Sequence, residues 1–239
     1  QDDRIAAVTL TGSNRAGASV GAAAGMVSKK SVLELGGSDA FIVLEDADIA
    51  TAAATAVKAR FNNSGQSCVC AKRFIVAESV AEEFTKLFVE GAKALVVGDP
   101  KAAGTQIGPL ARNDLRDALK GQVERSIAAG AKLATGGKAI QGEGFFFEPT
   151  VLTDVRPGMA VFDEETFGPV AAVIVAKNDE EAVQLANSTP FGLSVSVWSR
   201  SNERALKVAK CITSGAAFIN AMTASDARVP FGGTKKSGY

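Results

Sequence analysis

Apolar and polar segments alternate along the chain in the order strand, helix, strand, helix. Short apolar runs bounded by turn residues predict strands at Ala7–Thr11, Val32–Leu35, Phe41–Leu44, Phe74–Ala77, Phe145–Leu152, Val170–Val175, Leu193–Trp198 and Ala216–Ile219. Helices are predicted from Arg15 to Lys29, from the N-cap Asp48 to about Arg60, from a capping box at Ser79–Glu82 to about Val96, and near Asn113–Ala129, Asp179–Ser188 and Asn202–Cys211. This alternation predicts an α/β fold, in which a mostly parallel sheet is covered by helices on both faces.

The composition narrows the class of protein. Lys plus Arg equals Asp plus Glu at 26 each, which does not favour a nucleic acid or an anionic membrane as partner. The longest apolar stretches are too short to span a bilayer, and no signal-peptide core follows the N-terminus. Three cysteines are too few for a disulfide framework, so we expect a cytoplasmic protein.

The chain contains no histidine. A Ser-His-Asp triad or a Cys-His pair therefore cannot be built from this chain alone, and neither can a Cys–His zinc cluster. No metal site is expected. Covalent catalysis here would need a carboxylate, a lysine or water to move the proton.

The segment Asn63–Cys68 connects a predicted helix to a predicted strand through small and polar residues. A cysteine in such a turn lies close to backbone amides, which lower its pKa and can later bind an oxyanion. The alternative is a buried and inert thiol. Cys68 and Cys70 are two residues apart, and a reversible disulfide between them is one hypothesis for a redox switch. A Cys-x-Cys bridge is geometrically tight, so oxidation of Cys68 alone to a sulfenic acid is the alternative.

Glu34 ends the apolar strand before Gly36-Gly37. Chemistry in α/β proteins is usually placed at the carboxyl ends of parallel strands, so Glu34 is either a solvated rim residue or a partly desolvated general base. Gly12 and Ser13, between a strand and a helix, are either a phosphate site or an ordinary N-cap. The stretch Glu164–Pro169 is either an exposed acidic loop or part of a site.

Together these segments resemble the aldehyde dehydrogenase family. Gly65-Gln66-Ser67-Cys68, with Phe61, Asn63 and Arg73, is similar to the family's cysteine signature, and Glu34-Leu35-Gly36-Gly37 is similar to its glutamate signature. Glu165–Pro169 resembles the family's cofactor-contacting loop, and Pro230–Gly238 resembles a stretch near the end of family members. The resemblance covers all 239 residues, but only about the second, C-terminal half of a family chain.

The resemblance implies an NAD- or NADP-dependent oxidation of a small aldehyde to a carboxylic acid. Cys68 would attack the aldehyde to give a thiohemiacetal, and hydride loss would leave a thioester that water hydrolyses with Glu34 as base. Gly12 and Ser13 would bind the pyrophosphate. Glu165 would bind the nicotinamide ribose, and Phe167 would pack near the nicotinamide.

The same resemblance implies a division into two parts. Residues 1–36 would be a remnant of a Rossmann-like cofactor domain, and residues 37–239 a catalytic domain truncated before an oligomerisation strand. In its full-length form the protein would be a homo-oligomer, a dimer or a tetramer. The 239-residue chain by itself is expected to fold but to be inactive.

Residues 34–44 are most similar to bacterial succinate-semialdehyde dehydrogenases, and so is Phe218–Asn220 followed by Ala224–Arg228. Ser225 and Arg228 would then bind the substrate carboxylate. Alternatively, Arg228 pairs with Asp226. Some of those enzymes have an arginine six residues before the cysteine, where this chain has Asn62. Two alternatives to this function remain open: a dehydrogenase of another small aldehyde such as lactaldehyde, and a non-catalytic domain.

Overall fold

A computed structural model describes residues 2–239. The strands are β1 (Ala7–Thr11), β2 (Lys30–Glu34), β3 (Asp39–Val43), β4 (Ala71–Ala77), β5 (Lys132–Thr135), β6 (Thr150–Thr153), β7 (Val170–Ala176), β8 (Phe191–Gly192), β9 (Ser194–Trp198), β10 (Ala216–Ile219) and β11 (Thr234–Lys235). The α-helices are α1 (Asn14–Gly25), α2 (Ile49–Phe61), α3 (Ala81–Lys93), α4 (Asn113–Ala128), α5 (Ala160–Asp163), α6 (Asp179–Asn187) and α7 (Asn202–Ala209). Across residues 2–239, none of the helices combines the length and the apolar character needed to cross a membrane.

Seven strands form the main sheet in the order β10-β9-β3-β4-β7-β6-β5. All neighbouring pairs are parallel except β5 with β6, which is antiparallel. Alternate side chains of β3 enter two separate cores. Phe41 and Val43 pack with α2 and α3 on one face, while Ile42 packs with α4, α6 and α7 on the other. Burial of both faces explains the nearly continuous apolar runs of the central strands, and the predicted α/β fold is confirmed.

A second, two-stranded sheet pairs β1 with β2 in parallel. Helix α1 packs on it so closely that a Cβ atom on Gly17 would lie 2.7 Å from Leu35 Cδ1. The C-terminal residues pair with the other edge of β2, where Leu33 and Tyr239 exchange two backbone hydrogen bonds of 2.8 and 3.1 Å. Glu34 therefore lies between β1 and the C-terminal segment. The two-domain division at residue 36 stays a prediction.

Several predicted boundaries were wrong. Asp48 caps α2 as expected, since its side chain accepts a hydrogen bond from Thr51 N at 3.0 Å. The predicted capping box at Ser79 is not formed, because residues 78–80 make a separate 3-10 turn and Val80 precedes α3 without a side-chain cap. The predicted strand from Phe145 begins only at Thr150, because Phe145 and Phe147 form isolated bridges with Leu110 and Ala139 and Pro149 has no N–H to donate to a sheet ladder. Helices α1 and α3 also end three or four residues earlier than predicted.

Candidate active site

The loop that carries Cys68 leaves α2 through an unusual backbone turn. Asn63, Ser64 and Gly65 all have positive φ angles, of 50°, 54° and 72°. A Cβ atom at Gly65 would collide with the carbonyl group of Gly168, so only glycine fits there. For a non-glycine residue, a backbone held at such a positive φ angle costs about 1–3 kcal/mol of free energy. Asn63 and Ser64 therefore keep this conformation only because surrounding contacts stabilise it.

Side chains of the loop itself form hydrogen bonds that stabilise this backbone turn. The Ser64 hydroxyl accepts a hydrogen bond from Gly108 N at 2.9 Å and donates to Gly108 O at 3.2 Å. The Gln66 amide donates to Pro109 O at 3.2 Å and accepts from Ala111 N at 2.9 Å. The backbone before Cys68 is therefore tied to the loop that precedes α4.

Arg60 connects the Cys68 loop to the loop that carries Glu165. Its guanidinium is fully buried and donates to Ala71 O at 2.9 Å, to Gly65 O at 2.8 Å and to Gly168 O at 2.6 Å. Nη2 alone contacts carbonyls of both loops. A single buried side chain thus bridges the two loops through their backbone carbonyls.

The turn at Gly36-Gly37 brings the predicted site residues together. Gly37 N donates to Glu165 Oε1 at 2.9 Å, and a Cβ atom at Gly37 would lie only 2.8 Å from Cys68 O. A Cβ atom at Gly36 would collide with Glu165 and would lie 2.8 Å from Asn14 Oδ1. The turn that follows Glu34 therefore contacts Glu165, the backbone of Cys68 and the start of α1, and both glycines are required by this close approach.

The position of this cluster differs from the usual rule for α/β proteins. Glu34 does lie at the carboxyl end of its strand, β2. Cys68 and Glu165, however, precede β4 and β7, so they lie at the amino ends of central strands of the main sheet. The site lies where the carboxyl end of the small sheet meets the amino edge of the large one.

The Glu34 carboxylate is more basic than that of an ordinary, exposed glutamate. Burial raises its pKa above the ordinary value for a glutamate. Its Oε2 atom is buried and has no hydrogen-bond partner within residues 2–239. A carboxylate whose pKa is raised toward neutrality binds a proton more strongly, which suits a general base.

The pKa of Cys68 departs from our prediction. We expected backbone amides to lower it, and the Val69 amide does so, as does the nearby positive charge of Lys72. Burial of the half-buried thiol outweighs both effects, and the carboxylates of Asp39 and Glu165 add to it, so the pKa is raised overall. Cys68 therefore needs a base or an added positive charge to ionise.

The candidate cofactor residues lie beside this cluster. Ser13 is the N-cap of α1, and its hydroxyl accepts a hydrogen bond from Ala16 N at 3.3 Å. The Gly12 amide donates to Glu34 O at 2.9 Å and is therefore not free for a phosphate, whereas other amides of the first helical turn have no intrahelical partner. The Phe167 side chain is exposed and the Glu165 carboxylate is partly exposed. These groups fit an anionic dinucleotide, because α1 directs its positive end toward the cluster.

The remaining predicted residues lie in less defined surroundings. Ser225 is exposed, and the exposed Arg228 guanidinium pairs with Asp226 at 2.5 Å, which is the alternative that the sequence left open. Cys68 and Cys70 are both free thiols. The buried Cys70 thiol donates a hydrogen bond to Asn62 O at 3.4 Å.

Residues 1–239 match the family described as "Aldehyde dehydrogenase family". The chain belongs to this family. It is 53% identical over 239 residues to "Succinate semialdehyde dehydrogenase [NAD(P)+] Sad" of Escherichia coli K12, covering all of this chain and 52% of that protein. It is 53% identical over 238 residues to a "Probable succinate-semialdehyde dehydrogenase [NADP(+)]" of Synechocystis, covering 52% of that protein.

The fold is likewise that of the aldehyde dehydrogenase family. The solved structure of a Mycobacterium tuberculosis aldehyde dehydrogenase complexed with NAD+ superposes with a TM-score of 0.96 at 38% identity, covering 100% of this chain and 50% of that one. The chain thus spans about half the length of the relatives it matches.

Three residues of this candidate site were not predicted from the sequence: Asp39, Arg60 and Lys72. Asp39 is buried, and burial raises its pKa to about 6. Its carboxyl accepts hydrogen bonds from Ser194 N and from the Ser194 hydroxyl. The sequence did contain a usable signal for Lys72, because Lys72 and Arg73 are adjacent charged residues at the start of an apolar strand. A central strand with both faces buried must bury both charges.

Proposed function

We propose that this chain is the catalytic half of an NAD(P)-dependent aldehyde dehydrogenase, corresponding to the C-terminal half of its longer relatives. The observation that carries the proposal is that the Gly36-Gly37 turn, which directly follows Glu34, contacts both the Glu165 carboxylate and the backbone of Cys68. A thiol, a carboxylate with a raised pKa and a helix N-terminus for phosphate are the groups that such a reaction requires.

The reaction begins at the Cys68 thiol. Because burial raises the pKa of this thiol, Glu34 removes its proton as the sulfur attacks the aldehyde carbon. A C–S bond forms, the carbonyl π bond breaks, and the oxygen becomes the oxyanion of a thiohemiacetal. The backbone amide of Cys68 is the proposed donor to that oxyanion.

When bound, NAD or NADP would supply the acceptor for the hydride of the aldehyde carbon. The amides after Gly12 and the capped end at Ser13 would hold its pyrophosphate, Glu165 would bind hydroxyls of the nicotinamide ribose, and Phe167 would pack near the nicotinamide. Support comes from the exposure of Phe167 and from the partly exposed Glu165 carboxylate next to the Cys68 loop. Support also comes from the names of the two relatives at 53% identity, which include NAD(P)+ and NADP(+).

Hydrolysis of the resulting thioester completes the reaction. Glu34 first releases to solvent the proton that it took from Cys68, and it then removes a proton from water as the water oxygen attacks the acyl carbon. The C–S bond breaks to release the carboxylic acid, and the proton on Glu34 returns to the Cys68 thiolate. The unpartnered Oε2 atom of Glu34 supports this role, because a buried carboxylate oxygen without a partner can accept the water proton.

Succinate semialdehyde is the proposed substrate. The names of the two relatives at 53% identity support it. Ser225 and Arg228 are proposed to bind its carboxylate, which requires Arg228 to exchange its exposed partner Asp226 for the substrate. We further propose a cytoplasmic location, which the three free cysteines support, and a homo-oligomeric full-length enzyme.

The substrate proposal is tested by steady-state kinetics with a polypeptide of the relatives' length that contains these 239 residues. We expect kcat/KM for succinate semialdehyde to exceed that for butyraldehyde about ten- to hundredfold, the value of one charge-assisted hydrogen bond. Equal values for both aldehydes would refute a carboxylate-binding pocket. A higher value for lactaldehyde would favour the alternative substrate, and absence of any NAD(P)-dependent oxidation would refute the proposed function.

A further inference from the structure

Lys72 is a fully buried lysine directly behind the Cys68 loop. Its side chain lies in β4 with no exposed surface. The ammonium group donates to Ser67 O at 3.0 Å and to Cys68 O at 2.9 Å, and it lies 3.5 Å from Glu165 Oε1. The three protons of the ammonium can thus all be directed at the Cys68 loop and Glu165.

Burying the Lys72 ammonium group costs free energy, because the charge loses its hydration. Burial lowers the pKa of Lys72, and Glu165 is the main group that opposes this and favours the charged form. Replacing a buried charge by an apolar side chain of similar volume is often neutral or stabilising, so packing alone does not account for a lysine here. The titratable groups around it come from β3, α2, the Cys68 loop and the loop before β7, and they are Asp39, Arg60, Cys68, Cys70 and Glu165.

We propose that Lys72 is a positioning residue for the nucleophile: it fixes the Ser67 and Cys68 carbonyls, and its positive charge stabilises the Cys68 thiolate. The inference rests on Cys68 being the nucleophile of the proposed function. The two hydrogen bonds from Lys72 hold the peptide groups on both sides of the Cys68 Cα atom. The orientation of the thiol and of the Cys68 amide therefore depends on Lys72. Lys72 is also the main group that opposes the effect of burial on the Cys68 pKa, while Asp39 and Glu165 act in the opposite direction.

The test measures how fast iodoacetamide alkylates Cys68 as a function of pH, with peptide mapping to separate it from the other thiols. The variants are Lys72→Gln, Lys72→Met and Lys72→Arg. Glutamine keeps a hydrogen-bond donor without the charge, methionine removes both, and arginine keeps the charge. Exposed Cys211 on the same chain is the internal control. Alkylation needs neither aldehyde nor cofactor, so its outcome is separate from that of the dehydrogenase assay.

We expect the pH midpoint of Cys68 alkylation to rise in the Gln and Met variants, so that the rate at neutral pH falls roughly tenfold or more. The Arg variant should stay close to the unaltered chain, and Cys211 should react equally in all. A wild-type pH profile in a folded Gln or Met variant overturns the proposal, as does an Arg variant that behaves like Met.

If neither neutral variant folds, the coupling is measured without altering Lys72. The ζ-nitrogen resonance of Lys72 is then followed by NMR across the pH range in which Cys68 ionises. A step that disappears in Cys68→Ala supports the proposal, and an identical titration in both proteins overturns it.

Discussion

Replacing Arg60 by methionine tests whether one buried cation holds the two site loops together. The guanidinium makes three short hydrogen bonds to buried carbonyls, of Gly65, Ala71 and Gly168, at 2.6–2.9 Å. Hydrogen bonds from a charged group contribute about 1.5–3 kcal/mol each to the free energy of unfolding. Part of the loss on substitution is offset, because methionine also removes the desolvation cost of the buried charge. We therefore expect a net loss of about 3–5 kcal/mol in the free energy of unfolding.

The assay is urea denaturation, with thermal unfolding as a second measure. For a chain of this size the expected loss corresponds to a fall of roughly 6–20 °C in Tm. The matched control is Arg112→Met, because Arg112 is exposed and pairs only with exposed Asp114, so its loss should cost less than about 1 kcal/mol. If Arg60→Met costs no more than Arg112→Met, with an unchanged urea slope, the loops are held by other contacts and the reasoning fails.

Three further outcomes follow from the site. In a polypeptide of the relatives' length, Arg228→Ala should lower kcat/KM for succinate semialdehyde about ten- to hundredfold and leave butyraldehyde unaffected; equal losses would make Arg228 structural. Peroxide should inactivate the enzyme and dithiothreitol should restore it fully, and Cys70→Ala should abolish this inactivation if a disulfide with Cys68 forms. Inactivation that persists unchanged in Cys70→Ala would indicate sulfenic acid at Cys68 instead. The 239-residue chain alone should fold but show no NAD(P) reduction at 340 nm, since it lacks the contacts made by the other half of its relatives; ordinary dehydrogenase turnover, of about 1 s⁻¹ or more, would contradict this.

The central sheet could be predicted because local sequence carries its signal. The strand containing Phe41 has both faces buried, so it appears as an uninterrupted apolar run, and Asp48 has the side chain that caps a helix. The pairing of β8 with β11 was not predictable in this way. Each strand has only two residues, and their register depends on chain segments about forty residues apart.

The residues of the candidate site, too, could be predicted only where their signal is local in the sequence. Glu34 and Cys68 could be predicted as site residues because the turn and glycine patterns around them are local in the sequence. Arg60 was missed because its partners include the Gly168 carbonyl, which is 108 residues away in sequence and is a backbone group that any residue would supply. The direction of the Cys68 pKa was mispredicted for a similar reason, since burial depends on the whole fold and the local Val69 amide does not outweigh it.

The most direct test of the central claim is to trap the acyl group. An enzyme of the relatives' length that contains these residues is mixed with succinate semialdehyde and NAD or NADP, quenched in acid within one turnover, and mapped by peptide mass spectrometry. A succinyl group is expected on the Cys68 peptide, absent in Cys68→Ser, and more abundant in Glu34→Gln because hydrolysis of the thioester is slowed. An acyl group on another residue, or undiminished turnover in Cys68→Ser, would contradict the account.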